Sequence, residues 1–255
     1  MDIGDGTFKN QLEEDLEITE IPSELQYNDD IISGIFGNNM IATEDNSVNN
    51  KAILTTNNSD VLEINEKILE KLEGNTIDYY SVDSAVDDDQ TDLETALPIE
   101  FLNSLTPNGL PPHKLSLKVG AITYIVRNLN ANCGLVNGQR LKIIQLGEFS
   151  ITAKILNGSY ADTITILPRI TLSPHKLEMP FSMYRRQFPL RLAYAITINR
   201  SQGQTYNDVG IILFAPVFSH GQLYVALSRC TNKQNIKVVL KHEKINVTTK
   251  KKITM

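Results

Sequence analysis

The chain has 255 residues, of which 41% are apolar and 21% are charged, with two cysteines and no tryptophan. This composition excludes disordered, collagen-like and disulfide-built chains, and the length suits one large domain or two smaller ones. No apolar run reaches the ~18 residues of a membrane span, and no signal peptide opens the sequence. Cys133 and Cys230 are far apart and belong to no C-x-x-C pair, which argues against a zinc site. We therefore expect a soluble, intracellular protein.

Charge is distributed very unevenly along the chain. Residues 1–105 hold four Lys or Arg against 25 Asp or Glu, whereas residues 106–255 hold 20 against five. A net charge of +15 in the second part favours a polyanionic partner, and nucleic acid is the simplest one. The alternative is that two oppositely charged halves only neutralise each other in the fold.

The first part of the sequence predicts an α/β layer. Residues 1–50 are polar and acidic and predict short helices and loops around a cluster of isoleucines and Phe36. Residues 52–56 predict a buried strand, and an amphipathic helix follows, with apolar residues at helical spacing from Val61 to Leu72. Residues 79–97 contain Asp87-Asp88-Asp89 and are predicted to form an exposed loop.

Beyond the turn-rich segment 107–112 the periodicity becomes that of strands. The predicted strands are 115–126, 140–146, 151–156 and 163–170, with Asn-Gly turn signals at 137–138 and 157–158. Short strands at this spacing predict a small barrel. The α/β pattern resumes with a strand-to-helix junction at 192–200, a strand at 209–213, a helix at 219–229 that begins with a Ser219-x-x-Gln222 capping box, and a strand at 236–240.

The sequence contains none of the common catalytic motifs. It has no Gly-Lys dipeptide and hence no phosphate-binding loop, no Asp-Glu pair after an apolar strand, and no H-E-x-x-H. The four histidines lack metal-ligand spacing, so we expect no metal site.

Two segments nevertheless have specialised compositions. Residues 197–205, TINRSQGQT, combine hydroxyl, amide and guanidinium groups at the carboxyl edge of an α/β unit, where open sheets bind ligands. Residues 219–229 form a helix that ends at Arg229, whose guanidinium could reach a phosphate. The alternatives are a polar helix cap with a turn for the first segment, and neutralisation of the helix dipole by Arg229 for the second.

Together these segments resemble motifs V and VI of the superfamily 1B DNA helicases, and more narrowly those of the petite-integration-frequency (PIF) family and its Helitron relatives. The resemblance extends along the chain, through ILTTN at 53–57, FLNSL at 101–105, GLPPHKL at 109–115, GLVNG at 134–138 and RRQFP at 185–189.

The resemblance implies a C-terminal portion of such a helicase, without the first RecA-like domain that carries the Walker A and B motifs. It implies an α/β second RecA-like domain with a parallel sheet, interrupted by a small inserted β-barrel of the Src-homology type. The implied division is 1–106 for the acidic first part and its loop, 107–187 for the barrel, 188–245 for the rest of the RecA-like domain, and 246–255 for a basic tail.

The family motifs also imply roles for single residues. Arg229 would be the catalytic arginine finger, and Gln202 and Gly203 would lie near the same ATP phosphate. The residues implied to track single-stranded DNA are Thr55, Asn57, Thr197, Asn199, Arg200 and Ser201. Arg200 stands where the family more often has lysine, which keeps the charge and changes the contact geometry.

The expected function is therefore that of the C-terminal motor half of an ATP-dependent 5′-to-3′ DNA helicase, which uses ATP and Mg²⁺ together with a P-loop domain. The alternative is a non-catalytic module that binds single-stranded DNA or docks a partner. The candidates for the cationic DNA surface, about half of which we expect to be ordinary solvated side chains, are Arg127, Arg140, Lys142, Arg169, Arg185, Arg186 and Arg191. The expected location is the nucleus, with the mitochondrion as the alternative.

Overall fold

The computed structural model describes residues 18–37, 48–86, 97–107, 109–174, 179, 181–213, 221–240 and 252–254. Its helices are α1 Ile31–Phe36, α2 Asn58–Lys71, α3 Ile99–Ser104 and α4 Gln222–Leu227. Its strands are β1 Ile18–Glu20, β2 Lys51–Thr55, β3 Ile77–Tyr80, β4 Val82–Val86, β5 Lys114–Leu117, β6 Ile122–Ile125, β7 Arg140–Leu146, β8 Ser150–Ile155, β9 Ile164–Pro168, β10 Ile170–Leu172, β11 Ser182–Gln187, β12 Leu190–Leu192, β13 Ala195–Thr197, β14 Asp208–Leu213, β15 Ile236–Leu240 and β16 Lys252–Thr254. Short 3₁₀ turns are Ser23–Leu25, Ala131–Cys133, Ile198–Ser201 and Lys233–Asn235.

The described residues divide into two compact units. Of the described residues, the parallel-sheet unit contains those up to Lys71 and those from Tyr194 onward, and the inserted unit contains those from Leu72 to Ala193. The insertion is longer than the predicted range 107–187, because β3 and β4 belong to it.

The core of the parallel-sheet unit is a four-stranded sheet in the order β13-β2-β14-β15, with all neighbours parallel. Its strands are apolar almost throughout, as a sheet that is buried on both faces requires. Thr55 lies between Thr197 on one neighbour and Ile212 on the other. The carboxyl ends of β2 and β13 therefore meet at one edge of the sheet.

Two helices pack on this sheet through apolar residues at helical spacing. Helix α1 buries Ile31, Ile32, Ile35 and Phe36, and α2 buries Val61, Ile64, Ile68 and Leu69. Gly210 lets α1 approach β14, since a Cβ there would lie 3.0 Å from side-chain atoms of both Ile31 and Ile35. The predicted strand and amphipathic helix correspond to β2 and α2.

The inserted unit is antiparallel. It contains a five-stranded sheet in the order β12-β6-β7-β8-β9, a three-stranded sheet in the order β10-β11-β4, and the pair β3-β5. Among the described residues no pairing joins the edge strands β12 and β9, so the closed small barrel stays a prediction.

The prediction of an exposed loop from residue 79 onward is wrong for residues 79–80 and 82–86, which lie in β3 and β4 on either side of the buried Ser81. Tyr79 is buried with its ring edge-on to Phe188 at a centroid distance of 5.0 Å. Asp83 is buried and pairs with Arg185, whose Nη2 lies 2.6 Å from Oδ2. The polar residues Ser81 and Asp83, which made this segment look like a loop, are therefore buried within the inserted unit. Asp87–Asp89 lie outside the described residues.

Four of the seven cations expected on a DNA surface are buried. Arg140, Lys142, Arg185 and Arg191 are each at most 8% exposed. The guanidinium groups donate to backbone carbonyls: Arg140 to Ala193, Arg191 to Leu110 and Pro107. The three arginines thus bind backbone segments of the inserted unit to one another, and the surface assignment was wrong for all four cations.

The chain ends differ in part from expectation. Residues 252–254 of the predicted solvated tail form β16, which pairs antiparallel with β1. The predicted helix 219–229 is described from Gln222, and its capping residue Ser219 lies outside the described residues.

Candidate nucleotide and nucleic-acid site

The candidate site is built on the carboxyl edge of the parallel sheet. After Thr197 at the end of β13, the chain turns directly into the 3₁₀ turn Ile198–Ser201. Ile198 is buried and holds this turn to the sheet, while Asn199 is exposed and Arg200 is half-buried. Because β2 ends beside β13, the exposed Asn57 lies on the same edge.

Thr55 and Ser201 are fully buried. The Thr55 hydroxyl donates to Asp60 Oδ2 at 3.3 Å, and the Ser201 hydroxyl donates to the Ile198 carbonyl at 2.6 Å. The first bond stabilises the turn between β2 and α2, and the second stabilises the 3₁₀ turn Ile198–Ser201. Their DNA contacts stay predictions, and such burial favours a contribution through turn geometry over direct side-chain contact.

Gln202 and Gly203 form an exposed corner immediately after the 3₁₀ turn. Gly203 has a φ of +78°, which glycine adopts without the steric cost that a Cβ brings. The Gln204 amide donates to the Ser201 carbonyl at 3.0 Å and closes the corner.

Arg229 lies against this same corner. Its Nη1 donates to the Ser201 carbonyl at 3.4 Å and to the Gln204 carbonyl at 3.2 Å. Its Nε donates to Val225 O at 3.0 Å, and its Nη2 donates to Ser228 Oγ at 2.8 Å. The structure therefore brings together the two segments that the sequence singled out, 197–205 and 219–229, the second of which is described from Gly221.

The electrostatic setting of Arg229 is the most informative feature of the site. All four of its acceptors are neutral oxygens, and no carboxylate of the described residues pairs with it. A guanidinium has five N–H donors, so one N–H has no partner in the described part of the chain. The side chain is thus held in place by neutral oxygens, and no carboxylate in the described part of the chain compensates its positive charge.

The contact with Val225 also fits the alternative in which Arg229 only balances the carboxyl end of α4. The bonds to Ser201 and Gln204 go beyond that role, because they reach a different segment of the chain.

The backbone on both sides of Arg229 is anchored. Tyr206, which is buried, donates its amide to the Arg229 carbonyl at 2.9 Å, and its phenol donates to Gln204 Oε1. The Cys230 thiol donates to Asn207 O at 3.1 Å, and burial raises its pKa, which keeps the donor proton at neutral pH. Sequence reasoning missed Tyr206 and Cys230, since an isolated Tyr or Cys carries no motif.

The described residues show neither a membrane-length apolar helix nor a group of three or more side chains of the kinds that ligate metals.

Comparison with known proteins points to one family. The family profile described as "DNA helicase Pif1, 2B domain" matches residues 100–146. The ATP-dependent DNA helicase PIF1 of Xenopus laevis is 32% identical over 187 residues, which are 73% of this chain and 27% of that protein. The ATP-dependent DNA helicase PIF7 of Trypanosoma brucei brucei is 54% identical over 165 residues, 51% of this chain and 16% of that protein.

A solved structure agrees with these matches. The crystal structure of a Bacteroides Pif1 helicase in complex with ADP-AlF3 and ssDNA is 26% identical, with a TM-score of 0.54 over 88% of this chain and 44% of that one. The chain thus spans about a quarter or less of the two curated relatives and under half of this solved helicase. The family predicted from motifs V and VI is confirmed: the chain belongs to the Pif1 family of DNA helicases and corresponds to a C-terminal portion of a PIF-type superfamily 1B member.

Proposed function

We propose that this chain supplies the arginine finger and part of the DNA-binding surface of an ATP-dependent 5′-to-3′ DNA helicase. The parallel-sheet unit would be the second RecA-like domain, and the inserted unit would contain the small barrel. The opposite wall of the nucleotide site, with its phosphate-binding loop, would come from a P-loop domain in the same or another polypeptide. The single observation that carries this proposal is the Arg229 guanidinium, which neutral carbonyls hold at the 201–204 corner and which pairs with no carboxylate among the described residues.

In this proposal Arg229 stabilises the charge that develops on the γ-phosphoryl group of ATP during its transfer to water. Positioning and electrostatic stabilisation account for nearly all of the catalysis of such transfers. Neutral carbonyls suit the role, because they orient the cation without cancelling its charge. Gln202 and Gly203 would lie near the same phosphate, and the complementary domain would hold Mg²⁺ and the rest of the nucleotide.

The carboxyl edge of the sheet would contact the backbone of single-stranded DNA. The donors would be the amide, hydroxyl and guanidinium groups of Asn57, Thr197, Asn199 and Arg200. Such groups form hydrogen bonds with phosphate oxygens and do not distinguish one base from another. Thr55 and Ser201 would support these residues from within the two turns. The ssDNA in the Bacteroides Pif1 complex supports this substrate class.

Strand binding by the purified chain tests the DNA part of the proposal. Fluorescence anisotropy with a labelled oligothymidylate should show binding that weakens steeply as salt rises, because bound phosphates release counterions. Asn199→Ala/Arg200→Ala should lower the affinity by about tenfold. Lys67→Ala is the control, since Lys67 is an exposed cation on α2 that pairs with Glu63. An affinity that does not depend on salt concentration, or that is the same in the parent chain and the double variant, contradicts the proposal.

Hydrolysis tests the ATP part separately. The purified chain with ATP, Mg²⁺ and single-stranded DNA should release no phosphate above background, because the sequence contains no Gly-Lys dipeptide and so no phosphate-binding loop. Hydrolysis of ATP by the chain alone would show that its nucleotide site is complete without a P-loop domain. Strand binding without hydrolysis even after a P-loop domain is supplied would favour the alternative, a non-catalytic DNA-binding module.

A further inference from the structure

The Asn-Gly pairs that mark turns of the inserted unit also have a chemistry that the proposed motor function does not use. The backbone nitrogen of the glycine can attack the side-chain amide carbon of the asparagine, because glycine has no Cβ to hinder the approach. The chain contains three such pairs. Those at 137–138 and 157–158 are described, and Asn108 of the third lies outside the described residues.

At Asn137-Gly138 the fold holds the glycine nitrogen away from the attack. The Gly138 amide donates to the carbonyl of Ile125, the last residue of β6, at 2.8 Å. The Asn137 amide donates to Asn128 Oδ1 at 2.8 Å. The proton of the Gly138 nitrogen is therefore engaged in a hydrogen bond to the sheet, and the turn has to open before this nitrogen can react.

At Asn157-Gly158, in the connection between β8 and β9, the glycine nitrogen is accessible. Both residues are exposed. The Gly158 carbonyl accepts from the Ala161 amide at 3.1 Å, but the Gly158 amide donates to no residue that the structure describes. The φ angles of Gly138 and Gly158 are +85° and +86°, so the conformation of the glycine does not distinguish the two pairs. The hydrogen bond of the glycine nitrogen does.

The contacts of Asn157 leave its side-chain amide open to the attack. Gln139 Nε2 donates to the Asn157 main-chain carbonyl at 3.0 Å and lies 3.4 Å from Asn157 Oδ1. A donor near Oδ1 favours the reaction, because it stabilises the negative charge that this oxygen acquires during the addition. The Nδ2 atom, which has to leave, donates to no described residue.

We propose that Asn157 is a site of spontaneous deamidation and that the fold protects Asn137 from the same reaction. Hydroxide removes the Gly158 amide proton, the nitrogen forms a bond to Asn157 Cγ, and the Cγ–Nδ2 bond breaks with release of ammonia. Water then opens the cyclic imide at either carbonyl, which yields aspartate or isoaspartate. In sum, one water is consumed and one ammonia is released, and the connection gains one negative charge.

The isoaspartyl product defines the class of enzyme that acts on it. In this product the main chain runs through the former side chain, and the carboxylate is the former main-chain carbonyl. Methyltransferases specific for isoaspartyl residues transfer a methyl group from S-adenosylmethionine to an oxygen of such a carboxylate. Residues 157–164 are all exposed, so the segment around Asn157 is accessible to such an enzyme.

Peptide mapping tests the proposal, because trypsin separates the two pairs. Cleavage after residues 127, 140, 154 and 169 gives the peptides 128–140, with Asn137, and 155–169, in which Asn157 is the only amide side chain. The folded chain is incubated at mildly alkaline pH, and mass spectrometry follows the conversion of amide to acid at each asparagine. Asn157 should convert faster than Asn137 by on the order of tenfold, because the Gly138 hydrogen bond has to open first.

Two controls assign this difference to the fold. In concentrated guanidinium chloride the two asparagines should convert at similar rates, because a glycine follows each of them and an apolar residue precedes each of them. Asn157→Gln, whose longer side chain disfavours ring closure, should abolish the conversion of 155–169 and leave that of Asn137 unchanged.

Methylation gives an independent measurement of the isoaspartyl product. The aged parent chain should incorporate labelled methyl groups from S-adenosylmethionine in the presence of an isoaspartyl methyltransferase, and the aged Asn157→Gln chain should lose most of this label. Equal rates at Asn137 and Asn157 in the folded chain, or a difference that persists in the denaturant, overturn the proposal. Conversion of Asn157 without methyl incorporation overturns its isoaspartyl part.

Discussion

At the scale of single residues, neighbouring arginines of one strand have opposite surroundings. Arg185 is fully buried, pairs with Asp83 through Nε and Nη2, and donates to the carbonyls of Leu102, Leu105 and Pro111. Arg186 is exposed. A sequence alone gives both residues the same charge, and only the strand period decides which side of the sheet each one faces.

Replacing Arg185 should therefore unfold the inserted unit far more easily than replacing Arg186. Arg185→Met leaves the Asp83 carboxylate buried without its partner and three carbonyls without a donor, and should lower the free energy of unfolding by about 3–5 kcal/mol. Arg186→Met, on the exposed face, should change it by no more than about 0.5 kcal/mol. Urea denaturation followed by circular dichroism measures both. Equal effects of the two substitutions would show that the Arg185–Asp83 pair does not stabilise the unit.

The residues around Asp83 explain why its burial was not predicted. Its neighbours Ser81 and Ser84 are polar, and the segment runs into Asp87-Asp88-Asp89, which together suggest a loop. The cation that makes the buried carboxylate tolerable is 102 residues away in sequence, so no local periodicity can reveal it.

At the scale of elements, α1 depends on its first turn. Asp30 accepts from the Ile32 amide at 3.1 Å and from the Ser33 hydroxyl at 2.6 Å, and Lys71 of α2 donates to it at 2.7 Å. The hydrogen bond from Lys71 is the largest cause that lowers the Asp30 pKa to about 2, with that from Ser33 next. One carboxylate thus caps α1 and ties it to the end of α2.

This carboxylate should give a pH-dependent contribution to stability. Because the pKa is lower in the folded state, the contribution is complete above the ordinary value of 3.8 and disappears as pH falls toward about 2. Asp30→Asn keeps a good N-cap but loses the charge, so at neutral pH it should cost about 0.5 kcal/mol, a modest value because the pair is half exposed.

The difference in urea midpoint between the parent and Asp30→Asn should shrink as pH is lowered from 4 toward 2. Lys71→Met should reproduce the loss at neutral pH, and Lys67→Met, which removes a surface pair on the same helix, is the control. A difference that stays constant across this pH range would mean that the Asp30 charge does not contribute to folding stability.

Elements with strong periodicity were predictable from sequence. The strands at 140–146 and 236–240 were predicted with their observed bounds, and β2, β8 and β14 were found within one residue of the predicted bounds. The segment 192–200 was ambiguous because β13 has only three residues before the 3₁₀ turn. Such short elements are stabilised by tertiary contacts, here those of α2 and β2, rather than by local propensity.

At the scale of the whole molecule, the sequence located the two halves of the parallel sheet and the fact of an insertion, but not its limits. The inserted unit begins at Leu72 rather than at residue 107, and its first two strands, β3 and β4, were missed because Asp83 and Ser84 interrupt their apolar residues and the Asp87-Asp88-Asp89 run follows them. The charge asymmetry was a weaker guide, since four of the seven cations chosen from the basic half are structural. The resemblance to motifs V and VI implied that Arg229 lies near Gln202 and Gly203, and the hydrogen bonds of Arg229 to the Ser201 and Gln204 carbonyls place it at that corner.

The most direct test of the account joins this chain to a P-loop domain from a PIF-family helicase and measures hydrolysis of ATP stimulated by single-stranded DNA. Arg229→Ala should lower the turnover number by on the order of 10³-fold while the affinity for the oligonucleotide is unchanged. Arg229→Lys should lower the turnover number almost as much, because an ammonium group cannot reproduce the guanidinium geometry. Lys233→Ala is the control and should leave the turnover number unchanged, since Lys233 is an exposed cation that pairs with Glu24. A fusion that hydrolyses ATP equally fast with and without Arg229 would contradict the assignment of this residue to a nucleotide site.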